Sequence, residues 1–440
     1  MLVSVFTPTN DVTYLKQARQ SLLNQLPADS SGLDGFYDWE WVIVLNGKAS
    51  LVDIIPIIPE ARAGGPRFHV YEAPESIEPG NIGALKQYAV SKCNGDLLVE
   101  LDHDDVLRSD ALRTLVSEQK RTGAGFLYSD FAEFRPDGSN RLYSKSYGWE
   151  HYKEEGGQKA HSAFAVTPSS LSKIFYAPNH VRAWTREAYN KAGGHDPSMP
   201  VADDHDLVCR TYLAGVEFKR ISRCLYYYRV HGGAGNTSVA RNAEIQKAQQ
   251  QVSDKYTHKL VAEWCRREGL MMIDLGGAHD CPSGYESVDL ADDADYITDI
   301  RSGLPFEDGT VGCIRAYDFL EHVPHCRDSL CNHKGCVVGL MNEIYRVLAP
   351  GGWLLSATPS TDGRGAFQDP THVSFWNPNS FWYYTRRQQA KYVPGIRCRF
   401  QAHRVVQAFP TEWHKQHNIP YVYADLVALK GQRQPGICEI

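Results

Sequence analysis

The chain has 440 residues, more than one hydrophobic core usually serves, so two domains are expected. Its 46 basic and 52 acidic side chains leave a net charge of -6 with no block of like charge, which excludes a broad attraction to nucleic acid or anionic membrane. The opening MLVSVFTPTN lacks a basic region, a long apolar core and a cleavage site, and no later run approaches membrane-spanning length; the expectation is a soluble, cytoplasmic protein with no integral membrane segment. Eleven cysteines, mostly scattered through apolar segments such as DLVCRTYL and VGCIRAY, read as buried free thiols of a reducing compartment.

In chain order, strand-like and helix-like runs alternate: LVSVFTP, a helical pattern through SLLNQL, then WEWVIVLNG, RFHVYEA, the apolar-periodic GALKQYAVSK, and DLLVELD. Such alternation predicts a parallel sheet with crossover helices and functional loops at the carboxyl ends of the strands. After CLYYYRVHGG, residues 242–269 read as a long polar helix or linker, and LMMIDLGG restarts the strand pattern with GYESVDL, VGCIRAYD and GGWLLSATP. A domain boundary is placed near residue 260, to within about ten residues.

Four motifs of the first unit carry chemistry. The first strand ends in Thr7, Pro8, Thr9 and Asn10, a turn able to offer hydroxyl and backbone groups to a nucleotide, and the second ends in Leu45, Asn46 and Gly47. PGNIGALK brings Gly80, Asn81, Gly83 and Lys86 to a loop-to-helix entry, where free N–H groups and a lysine favour an anion. VELDHDDVL then sets Asp102, His103, Asp104 and Asp105 directly after an apolar run, as either a metal cradle or a solvated strand end.

With YSDFAEF, GGHDP, ADDHDL and YYYRVHGGAGNTS following in order, residues 1 to about 240 resemble the family-two glycosyltransferases of GT-A fold. The resemblance implies an α/β nucleotide-sugar-binding domain over residues 1–260 that transfers a sugar with inversion to a hydroxyl of a glycan or glycoconjugate. Donor contacts are then Pro8, Thr9, Asn46, Asn81, Lys86, Asp102 and Asp104, and Asp204 stands where the family has its general base. Asp104 becomes the direct metal ligand, Asp102 supports the ribose or the metal's water shell, and His231 completes a site for Mn²⁺ or Mg²⁺. The implied donor is a UDP-sugar, although Asn46 replaces an aspartate frequent near the base. Asp206 and Arg210 are expected to organise the helix behind Asp204, Asp105 to cap a helix or face solvent, and His195 and His205 to be packing residues.

The later unit, residues 261–440, resembles a class I S-adenosylmethionine-dependent methyltransferase of Rossmann-like fold, through MIDLGGAHD, GYESVDL, TDIRSGLPFEDGTVGCIRAYDFLEHV and EIYRVLAPGGWLLSATP. That resemblance implies a cofactor site at Asp274, Gly276, Gly277, Asp289 and Asp299, with methylation of the product as its chemistry and a degenerate, acceptor-binding domain as the alternative. The turn departs from acid-x-Gly-x-Gly, and His372 is a candidate base. HCRDSLCNHKGC gathers Cys326, Cys331, His333 and Cys336, read as free thiols on a surface insertion with zinc as the alternative. Arg386, Arg387, Lys391, Arg397, Arg399 and Arg404 interleave with aromatics, as a solvated sheet edge or a nucleic-acid track. Two rival functions follow: a DNA glycosyltransferase acting on a hydroxylated modified base, and a non-catalytic binding module.

Overall fold

The computed structural model describes all residues except 28–36, 59–66, 155–156, 175–176, 232–236, 327–333 and 432. By Cα proximity the chain divides into two units, Met1–Lys145 with Trp149–Leu260, and Ser146–Gly148 with Val261–Ile440.

The first unit is built on an eleven-stranded mixed sheet. Strands β1 (Leu2–Thr9), β2 (Asp38–Leu45), β3 (Phe68–Glu72) and β4 (Leu97–Glu100) run parallel in the order β3-β2-β1-β4. Next come the short β5 (Val106–Leu107), β6 (Phe126–Phe134), β7 (Arg182–Thr185) and β8 (Phe218–Arg229). From β4 the sheet continues β7-β6-β8-β5, with β7 antiparallel to both neighbours and β8 parallel to β6. The inner strands are buried along nearly their whole length, as in β2 and β4, because elements cover both faces. That is why DWEWVIVL and LLVE read as apolar runs rather than alternating ones.

Helix α1 (Leu15–Leu23) follows β1, and α2 (Ile82–Ser91) packs beneath β1 and β2. Asn81 starts α2: its Oδ1 accepts from the Ala84 N–H at 3.1 Å while its Nδ2 donates to Pro197 O at 3.0 Å. Helix α3 (Ala111–Thr122) ends on Gly123 in the left-handed conformation. Helix α4 (Asp203–Leu213) opens with Asp203, Asp204 and Asp206 in its first turn, where the helix dipole favours negative charge. Helix α5 (Asn242–Glu268) is one continuous element where the sequence left helix or linker open, and the division between the units falls inside it.

The second unit holds β9 (Met271–Leu275), β10 (Glu286–Asp289), β11 (Tyr296–Ile297), β12 (Val311–Tyr317), β13 (Leu348–Pro359), β14 (Phe400–Ala408) and β15 (Tyr421–Ala428). Their order is β11-β10-β9-β12-β13-β15-β14. All neighbours are parallel except β15, which runs antiparallel to both β13 and β14. Helix α6 (Val337–Val347) buries Leu340, Met341, Ile344 and Val347 against this sheet's core, which includes Ile314, Leu354 and Leu426.

One glycine decides a close approach in the first unit. A Cβ on Gly83 would lie 2.3 Å from Asp196 O and 2.5 Å from Met199 O, so the start of α2 can sit under the loop leading into α4 only without a side chain there. Gly83→Ala is expected to lose about 1–3 kcal/mol through overpacking, read as a lower urea midpoint; an unchanged midpoint would remove the close-approach argument.

Candidate functional site

The first strands end where the sequence places donor contacts, but several of those side chains are already engaged. Thr9 is buried, and its hydroxyl donates to Asp11 O at 2.7 Å, so it shapes the turn instead of standing free for a nucleotide. Pro8 and Asn46 are half-buried at the ends of β1 and β2, with the Asn46 N–H donating to Thr9 O at 2.9 Å. Asn81 spends both ends of its amide on the helix start and the Pro197 carbonyl. Lys86, expected at an anion, is buried one turn into α2, with Nζ 3.1 Å from Glu100 Oε1 and 3.8 Å from Asp203 Oδ2. Burial alone would lower the Lys86 pKa, but Asp203 and Glu100 outweigh it and the ammonium is held well above its usual range.

Glu100, the last residue of β4, anchors a buried ion network that the motifs do not announce. Arg182 on β7, 2% exposed, places Nε 2.7 Å from Glu100 Oε2 and Nη1 2.7 Å from Asp204 Oδ2, with Nη2 2.7 Å from His180 Nε2. His195 adds Nε2 at 3.2 Å from Glu100 Oε1 and 3.6 Å from Asp203 Oδ2, and its Nδ1 lies 2.9 Å from the Tyr189 hydroxyl. His195 is therefore part of the charge network and not merely packing, whereas His205 is buried with Nε2 2.6 Å from Leu171 O. Asp206 accepts from Arg210 Nε at 2.6 Å and from the Tyr256 hydroxyl at 2.8 Å.

Two neighbouring aspartates are driven apart by this setting. Burial raises the Asp203 pKa, a rise that Lys86 and His195 only partly oppose. Burial acts in the same direction on Asp204, but Arg182 and then Lys86 outweigh it and hold its carboxyl at about 2. Asp204 is one-fifth exposed, so it meets solvent as a carboxylate while Asp203 faces inward.

The acidic turn after β4 is fastened by β8. Asp105 is fully buried: its Oδ2 accepts from the Tyr226 hydroxyl at 2.8 Å and its Oδ1 from the Arg229 N–H at 2.6 Å. This replaces the expected helix cap or solvated carboxylate. Burial, then the charges of Asp104 and Asp102, lift its pKa well above the usual range. Arg229 Nε donates to Asp104 O at 2.8 Å, and two residues on, His231 Nε2 lies 2.6 Å from Asp104 Oδ2. One anionic oxygen and one imidazole nitrogen, both part-buried, form a donor pair of the kind that suits Mn²⁺. Asp102 is more open, its Oδ2 3.9 Å from His180 Nε2, and among the described residues it does not join Asp104 and His231 in a compact three-donor group.

Residues 4–173 match the family model described as Glycosyl transferase family 2. That stretch of the chain is similar to the family. The match and the sheet order give the first unit an α/β, GT-A-like fold. The chain is 27% identical over 248 residues to a chondroitin synthase of Escherichia coli, covering 56% of this chain and 31% of that protein. It is 25% identical over 248 residues to a chondroitin synthase of Pasteurella multocida (strain Pm70), covering 56% of this chain and 22% of that protein. It thus spans less than a third of the length of these relatives. The crystal structure of S. aureus TarS 1–349 is similar with a TM-score of 0.41 and 16% identity, over 61% of this chain and 72% of that one. Arg182, Asp204 and His231 lie beyond the stretch that matches the glycosyltransferase model.

In the second unit, Asp274 at the end of β9 is buried, with Oδ2 accepting from Arg315 Nη1 at 2.7 Å while Oδ1 makes no hydrogen bond. Gly276 has φ +77°, and a Cβ on Gly277 would lie 2.1 Å from Asp274 Oδ2, so this turn tolerates glycine alone at both positions. Asp289 Oδ1 accepts from the N–H groups of Leu290 and Ala291 at 2.6 and 3.2 Å. Asp299, expected beside an adenine, pairs at the surface with Arg301 through Nε at 2.9 Å and Nη2 at 2.7 Å. Cys326 and Cys336 bring their sulfurs to 2.6 Å, while Cys331 and His333 lie outside the described residues. In the basic stretch Arg386 pairs with Glu439 at 2.7 Å and Arg404 with Asp425 at 3.0 Å, which neutralises part of the expected track. Among the described residues no helix is long and apolar enough to cross a membrane.

Removing Arg182 takes from Asp204 its 2.7 Å cation and from Glu100 one of its cations, Lys86 remaining. Arg182→Met is expected to cost about 3–5 kcal/mol, the range for breaking a buried ion pair from one side, measured by urea unfolding at pH 7. Because the Asp204 pKa is depressed, its share of the stability is present above the unfolded value of about 3.9 and is lost as pH falls toward 2. The deficit of the variant should therefore shrink in that acid window, and a deficit independent of pH there would contradict the assignment.

Proposed function

We propose that the first unit is an inverting glycosyltransferase that moves a sugar from a nucleotide-sugar donor, read as a UDP-sugar, to a hydroxyl of a glycan or glycoconjugate. The observation that carries this reading is the part-exposed, ionised Asp204 beside Arg182, at the carboxyl side of the sheet that also presents Asp104 and His231. The family-two domain and the names of the relatives, both synthases of a polysaccharide, support the reaction class.

In the proposed step the acceptor oxygen bonds to the anomeric carbon as the bond from that carbon to the diphosphate breaks. The nucleoside diphosphate leaves with the bonding electron pair, and the acceptor's proton passes to Asp204. Asp104 and His231, with Asp102 nearby, would hold a divalent cation, which when bound would supply positive charge toward the departing diphosphate. Arg182 and then Lys86 lower the Asp204 pKa against the effect of burial, so the carboxyl is in the ionised form that can accept a proton.

We read the second unit as a class I methyltransferase-type domain. Its support is the strand order, with the single antiparallel β15 between β13 and β14, and the glycine turn after β9. S-adenosylmethionine, whose chemistry is methyl donation, would be held by the Gly276–Gly277 turn and Asp289, with the exposed Leu290 offering an apolar contact for its base.

The test is sugar transfer from a panel of nucleotide-sugars with Mn²⁺. Asp204→Asn is expected to lower turnover by about 10²- to 10⁴-fold, the usual worth of a general base, and Asp104→Ala to abolish the stimulation by Mn²⁺. Undiminished transfer by both variants would overturn the mechanism.

A further inference from the structure

At the carboxyl ends of β12 and β13 lies a second group of metal-type ligands that the transfer chemistry does not use. Glu321 and His322 sit on the short 3-10 turn Leu320–His322 that follows β12, and His372 lies on the segment DPTHVSF beyond β13. The two segments are stitched together: the N–H groups of Val373 and Ser374 donate to Glu321 O at 2.9 and 3.0 Å, and the Ser374 hydroxyl donates to Leu320 O at 2.9 Å. One donor atom from each of Glu321, His322 and His372 lies within 4.8 Å of the other two.

The hydrogen bonds around the group leave lone pairs exactly where a cation needs them on each side chain. Glu321 is 2% exposed; its Oε2 accepts from the Thr358 hydroxyl at 2.8 Å, and its buried Oε1 makes no hydrogen bond. His372 Nδ1 lies 3.1 Å from Ala366 O, and a carbonyl only accepts, so Nδ1 carries the proton and Nε2 the lone pair. The Thr371 hydroxyl donates to Asp369 Oδ1 at 2.6 Å, so its oxygen accepts from His322 Nδ1 at 3.1 Å, which leaves the Nε2 lone pair on His322 as well. Outer partners that fix both tautomers in this way are the usual support of metal-bound histidines.

We propose that Glu321, His322 and His372 bind a divalent first-row transition cation of the Mn²⁺, Co²⁺ or Zn²⁺ class. Two imidazole nitrogens and one carboxylate oxygen satisfy three positions of such an ion and leave the others to water or to an oxygen of an acceptor. His322 is exposed and His372 half-buried, so the open positions face solvent. This site is independent of Asp104 and His231, and it stands whether or not the second unit transfers a methyl group.

The experiment is titration of the full chain, freed of metal by chelator, with Co²⁺, following the visible d–d absorption and the heat of binding. Asp104→Ala serves as the background, so that the cation proposed for the first unit does not contribute. The background chain is expected to take up one equivalent of Co²⁺ with a visible band. Adding His322→Ala and His372→Ala should weaken that uptake at least tenfold, as should Glu321→Gln, which keeps the Thr358 contact. Near-UV circular dichroism checks that each variant is folded, and the exposed His322→Ala alone provides the reading if another is not. Uptake of Co²⁺ by the background chain that is unchanged in the folded histidine variants, or no uptake at all, overturns the proposal; loss of one equivalent on Asp104→Ala alone bears only on the first unit.

Discussion

Three carboxylates, Glu100, Asp203 and Asp204, share two permanent cations, Lys86 and Arg182, at the base of the candidate site of the first unit. Apart from the consecutive Asp203 and Asp204, these residues are far apart in sequence and come from β4, α4, α2 and β7. Each cation bridges two elements, so the charges can be satisfied only when the strand, the inserted antiparallel strand and both helices are in place together. A buried ionic group of this kind is weak evidence for extra stability. Its effect here is to fix the position of Asp204 and the charge that it carries.

The turn after β4 is governed by a second constraint of a different kind. Asp105 looks like the least useful member of VELDHDDVL, yet it is the member that the fold grips, through Tyr226 and the Arg229 backbone. Holding Asp105 inside turns Asp104 toward His231, which the same run of β8 delivers. Tyr14 closes the arrangement, with the Arg229 guanidinium 4.2 Å from its ring centre and the His231 ring 5.1 Å away. The pair Asp104 and His231 is thus a product of one strand's register and not of two loops meeting.

Legibility from sequence followed the range of the physical signal. The strands were readable because apolar runs ending in Thr-Pro-Thr-Asn, Leu-Asn-Gly and Leu-Asp-His-Asp mark buried parallel strands and their polar ends. The acidic turn and His231 were connected by the ordered motifs of a family, since nothing local ties residue 104 to residue 231. Lys86 and Asn81 were misdirected for a physical reason: glycine, asparagine and lysine at a helix start look the same whether the helix receives an anion or caps itself over buried carboxylates. Only the direction of the Lys86 side chain separates the cases, and Glu100 and Asp203 set that direction. Arg182 carried no signal at all, because its importance comes from β7 inserting antiparallel between β4 and β6, a pairing that no short stretch encodes. Asp299 pairs with Arg301 two residues away, a local contact that the family motif does not announce.

The spacing between Arg229 and His231 has a consequence for how this chain can vary. Both residues act on Asp104, one through its carbonyl and one through its carboxylate, and Val230 between them still pairs with Phe134 O at 2.8 Å. In an extended run, positions two apart share a face, and a single inserted or deleted residue moves the next side chain to the opposite one. Length changes between residues 229 and 231 would therefore sever the histidine from the aspartate.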